Sequence, residues 1–184
     1  MRVRRGIMSL AAGVLLMAVA ATAQAQQQQA ATKDSKYIAK VMKAAPKSIV
    51  KGATIVVMEK DGAMRTLQKG TNEFTCMVIT GGTPMCTDEG GMEWMHALMA
   101  HAAPPSKVGF MYMLGGDNGA SNTDPYATGP TPDNHWVKTG PHVMILGPAA
   151  KTMAGYPRIP DADPTKPYVM WADTPYEHLM IPVK

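Results

Sequence analysis

The sequence predicts a single α+β domain, with a mainly antiparallel sheet, two or so helices and one disulfide. Three observations predict it. Short runs of β type outnumber helical ones and do not alternate regularly with them, an order that separates α+β from βαβ architectures. Lys60-Asp61-Gly62 sits between two such runs, and Asp-Gly is a strong hairpin signal because both residues tolerate positive φ. Cys76 and Cys86 are the only cysteines and flank a turn-rich segment, so in an oxidising compartment they pair with each other. A two-cysteine metal site would want closer spacing and further ligands.

The N-terminus supplies that compartment. Arg2, Arg4 and Arg5 precede a short apolar run, and small residues then end in Ala23-Gln24-Ala25. This is the three-part build of a cleaved secretory signal peptide, residues 1–25. The run is too short and alanine-rich to span a bilayer well, so no transmembrane segment is expected after cleavage. Arg4-Arg5 fits an ordinary positive start as well as a twin-arginine signal, leaving both export routes open. The chain is expected to be periplasmic or secreted. Without residues 1–25 the charge falls from +4 to +1, so the basic balance is largely the export signal. No lysine-arginine cluster remains, which excludes a nucleic-acid footprint.

Residues 26–34 are glutamine-rich and read as a disordered leader, leaving 35–184 as the globular domain. Ser35 is placed as an N-cap, with Tyr37, Ile38, Val41 and Met42 at helical spacing and Pro46 as the stop. Residues 53–60 and 63–70 form the hairpin strands, and 73–80 a third strand tied by Cys76 to the loop that follows. Gly90-Gly91 precede the clearest helix, whose apolar face is Trp94, Met95, Leu98 and Met99, and Pro104-Pro105 end it. A strand follows over 107–114. Residues 115–140 are a long loop rich in Gly, Pro, Asn and Asp. Three further strands are expected over 142–146, 168–171 and 178–183.

Familiar catalytic signatures are absent: no G-x-S-x-G, H-E-x-x-H, P-loop, dinucleotide fingerprint, C-x-x-C-H or EF-hand loop. Methionine is the compositional anomaly, with 14 in the 159 residues after the signal. Thioethers with imidazole suit Cu(I). His142-x-Met144 and His178-x-Met180 each put both side chains on one face of a strand, so adjacent pairing would bring two His and two Met together. Met92, His96 and Met99 form a helical alternative. Against both stands the ordinary use of methionine as a flexible core filler, here spread through nearly every element.

The long loop offers Asp117, Asn118, Asn122, Asp124 and His135 as ligand-binding candidates. The ordered spacing of a calcium loop is missing, and Asn and Asp are also turn formers. A histidine with Asp117 or Asp124 supplies a possible base and its orienting carboxylate.

Residues 70–184 carry a resemblance. "KGTNEFTCM", "GASNTDPYAT", "WVKTGPHVMI" and "YVMWADTPYEHLMIPV" resemble an uncharacterised family of small exported bacterial proteins. That resemblance implies an exported bacterial domain and no particular chemistry. The leading expectation is an exported small-ligand or metal-binding protein, with copper as its sharpest form. An extracytoplasmic enzyme using a His–Asp pair and an envelope interaction domain are the alternatives.

Overall fold

The computed structural model describes residues 8–60 and 62–183, with side chains from residue 24 onward. The charged start of the expected export signal and Asp61 of the expected turn lie outside the described residues. The chain divides into two compact units, residues 1–37 and 38–184. The described part of the first is helical: α1, Met8–Val41, takes in the expected leader as well and ends four residues into the second unit. Alanine and glutamine are good helix formers, and nothing between residues 24 and 35 breaks the run. Ser35 therefore lies inside the helix rather than capping it, its hydroxyl donating to the Ala31 carbonyl at 2.9 Å. Among the described residues no helix is long and apolar enough to cross a membrane.

The second unit is the α+β domain. Its strands are β1 (Thr54–Met58), β2 (Met64–Gln68), β3 (Thr75–Val78), β4 (Pro84–Thr87), β5 (Gly109–Met113), β8 (His142–Leu146), β9 (Tyr168–Met170) and β10 (His178–Pro182). They form one sheet in the order β2-β1-β3-β4-β5-β8-β10-β9. Among the described residues only β1 and β3 run parallel. Two short strands, β6 (Ala120–Ser121) and β7 (Trp136–Val137), pair within the long loop. Short helices α2 (Lys47–Gly52) and α4 (Ala149–Thr152) flank the sheet's connections.

The cysteines are joined, as the spacing implied, but Cys86 lies on a strand rather than in a loop. Cys76 and Cys86 sit directly opposite each other across β3–β4, their Cα atoms 4.0 Å apart. Both are fully buried, on the face opposite Met77 and Met85.

Helix α3 (Glu89–Met99) begins one turn earlier than its glycines suggest. Asp88 is the cap, its carboxylate accepting from Gly91 N at 2.8 Å and from Phe110 N at 3.1 Å. Gly90 and Gly91 instead let the first turn lie on β5. A Cβ on Gly91 would stand 1.9 Å from the Thr87 hydroxyl, and one on Gly109 would stand 2.5 Å from Gly91 N. That close approach drives Trp94, Met95 and Leu98 onto one face of the sheet.

Candidate functional site

That face is built of methionine. Strand alternation places Met85, Met111, Met113, Met144, Met180 and Met170 on the same side. With Met95 from α3 they line a cavity of about 220 Å³, closed on one side by Asp117–Ala120 and Ile79–Thr83. Seven methionines scattered along the sequence thus meet in one space. Fold topology concentrates what the sequence had dispersed.

The two histidine strands are neighbours. β8 and β10 run antiparallel with Met144 opposite Met180 and Pro182 opposite His142. Both His–Met faces coincide on the cavity side, and the antiparallel direction sends the histidines to opposite ends. One register step beyond the paired residues puts His178 level with Leu146, four strand positions from His142. At about 3.4 Å per residue this separates their Cα atoms by roughly 14 Å.

The two imidazoles are held alike. His142 is fully buried and its Nδ1 lies 2.7 Å from the Gly140 carbonyl. His178 is 1% exposed, with Nδ1 3.1 Å from the Tyr176 carbonyl. A carbonyl only accepts, so each Nδ1 carries the hydrogen and each neutral ring keeps its lone pair on Nε2. Burial lowers the pKa of His142, against the opposing pull of the Gly140 carbonyl and Asp117. Burial lowers the pKa of His178 to about 4, against the pull of the Tyr176 carbonyl, and His142 adds to the lowering. Both rings are therefore neutral at neutral pH, the form that ligates metals. His142 Nε2 is buried with no hydrogen-bond partner among the described residues. His178 lies edge-on to Trp94 and Trp171, with ring centroids 5.4 and 4.8 Å away.

The loop candidates divide. Asp117 and Asn118 line the cavity. Asp117 is held by Gly119 N and Thr139 N, and the Asn118 amide donates to the Gly81 carbonyl across the cavity's edge. Asn122 is buried elsewhere and locks two segments, donating to the Ile159 and Pro160 carbonyls at 3.0 and 2.6 Å. Asp124 closes an exposed turn onto Tyr126 N. His135 borders a separate open groove of about 540 Å³, its Nδ1 2.7 Å from Asp161. Among the described residues the carboxylate hydrogen-bonded to a histidine ring is Asp161, which the sequence did not mark, while Asp117 acts on His142 only through its charge. Asp161 is 86% exposed, so water screens the pair. On α3, His96 and Met99 face solvent and do not join Met92 in a ligand set.

Sequence reasoning did not single out Met113 or Met170, and it placed Trp94 only on the apolar face of a helix. Met111-x-Met113 carries the same period-2 spacing as the two His-x-Met pairs, a signal that was available. Met170 had no such marker. Among the described residues no three His, Cys, Asp or Glu side chains form a metal-binding group; the cavity gathers two imidazoles and seven thioethers, with Asp117 as the carboxylate on its lining. Comparison with family models, with curated proteins and with solved structures found no match.

Proposed function

We propose that this protein binds Cu(I) in the methionine cavity, as an exported metal-handling protein of the periplasm or extracellular space. One observation carries the reading: the buried Nε2 of His142 has no partner and lines a space walled by thioethers. An unpaired buried acceptor costs about 1–3 kcal/mol, a cost that a ligand would relieve. Imidazole and thioether together favour Cu(I) over the harder divalent ions. The Nδ1 bond to Gly140 supplies the outer-shell support that fixes a ligating imidazole. The signal-like N-terminus and the Cys76–Cys86 disulfide agree with an oxidising compartment.

The test is an anaerobic competition titration of the purified protein against a chromophoric Cu(I) chelator, beside His142→Ala. Binding that weakens by more than about tenfold in the variant is expected, the size of effect seen even for outer-shell changes. Folded protein that takes no Cu(I) would overturn the reading.

A second reading rests on Trp94. Its indole Nε1 is also buried without a partner among the described residues, so the cavity wall holds an unpaired donor as well as an unpaired acceptor. A space of about 220 Å³ suits a small aromatic ligand, since a cavity of roughly 150 Å³ already holds benzene. Thermal stabilisation by indole or phenol, unchanged in His142→Ala, would favour this reading over copper.

A further inference from the structure

The register of β8 and β10 does more than join two histidines to one cavity. Each histidine has a methionine directly across from it on the outer neighbouring strand. His142 faces Met113 on β5, and His178 faces Met170 on β9. Each also has a methionine two residues along its own strand, Met144 and Met180, which meet each other at the centre. On the inner side the flanking residues are Pro182, opposite His142, and Leu146, level with His178. Neither supplies a donor atom. The Nδ1 bonds repeat the pattern, each ring anchored to the carbonyl two residues upstream.

From this juxtaposition we infer that the cavity holds two Cu(I) ions at separate stations. One is formed by His142 with Met113 and Met144, the other by His178 with Met170 and Met180. The inference rests on the Cu(I) reading above and deepens it. Each station offers one imidazole nitrogen and two thioethers, a soft three-coordinate set. Opposed residues on antiparallel strands have Cβ atoms about 4.5–5.5 Å apart, and methionine's three rotatable bonds let sulfur swing toward a shared point. A single ion bound by both imidazoles is disfavoured by the roughly 14 Å between their Cα atoms. All six residues line the same space, so the stations are connected through the Met144–Met180 pair rather than walled apart.

The experiment is the copper stoichiometry of the anaerobic protein, measured by native mass spectrometry with Cu(I) held by a competing chelator. Two ions per chain are expected. His142→Ala and His178→Ala should each retain one, and the double variant none. His178 packs edge-on against the stacked pair Trp94 and Trp171, so its removal risks the fold. Met170→Leu/Met180→Leu takes the thioethers from that station while leaving the ring, and it too should retain one ion. A wild-type ratio of one overturns the two-station arrangement and leaves Cu(I) binding standing. Loss of both ions on removing either station likewise overturns it. A ratio of zero overturns the Cu(I) reading itself.

Discussion

The carboxylate of Glu177 is 5% exposed and takes the Arg158 guanidinium at 2.6 Å. The same oxygen, Oε2, accepts from Asp173 N at 3.0 Å, which folds the turn leading into β10. Glu177 immediately precedes His178, so this clamp fixes where one of the cavity's imidazoles enters the sheet. Arg158→Leu would leave the carboxylate buried with the Asp173 amide alone. The expected cost is about 2–3 kcal/mol, below the usual loss for a fully buried pair because Arg158 is 39% exposed. Urea unfolding measures it, and Glu177→Gln in the same background should recover part of the loss.

Replacing cavity methionines by leucine separates ligation from packing. Met113→Leu/Met144→Leu keeps nearly the same volume and should change stability by less than about 1.5 kcal/mol per site. The thioethers are gone, however, so Cu(I) affinity at the His142 station should fall by more than about tenfold while the His178 station keeps its ion. Unfolding curves and chelator competition on the same sample check both halves. Unchanged affinity would return these methionines to the role of core filler.

Metal-free protein should lose stability as the solution is acidified below neutral. His178 titrates near 4 when folded and near 6.5 when unfolded, so between those values the unfolded chain binds more protons. Its stabilising contribution is complete above the unfolded pKa and is lost as pH falls through the window. From pH 7 to pH 5 the loss is about 2 kcal/mol, and His142 shifts in the same direction. Denaturant midpoints at the two pH values test it, with a flat profile as the contrary result.

The disulfide should matter to folding and not to the cavity. Cys76 and Cys86 close a short loop, for which about 2–3 kcal/mol of stabilisation is expected. They lie on the opposite face of the sheet from Met77 and Met85. Cys76→Ala/Cys86→Ala should therefore lower stability by that amount while leaving Cu(I) affinity within a factor of about two, too small a change to count as a lost donor. Calorimetry and competition titration together decide.

Much of the fold could be read from particular residues. Asp-Gly punctuation marked the β1–β2 hairpin, and the strand over His142–Leu146 appears with the bounds its alternation implied. β4 escaped notice because Pro84 opens it and only five residues follow Gly81-Gly82 before Asp88. Two-residue strands such as β6 and β7 are too short for any period to register. The start of α3 was misplaced because glycine usually marks a boundary, whereas Gly90 and Gly91 serve close packing. As for the site, His142, Met144, His178 and Met180 stood out as pairs, but their partners Met113 and Met170 depend on register. Register is a property of the assembled sheet, and no local pattern encodes it.

β10 lies between β8 and β9, although it follows both in sequence. β9 therefore has no ladder partner until β10 inserts, and β8 waits through the 31 residues between Leu146 and His178 before that neighbour arrives. A nascent chain that has made β8 already displays His142, Met113 and Met144. The other imidazole arrives only with the insertion that also seals the sheet. Truncating the chain before β10 would therefore strip β9 of its ladder partner and remove one of the cavity's two imidazoles together with Met180.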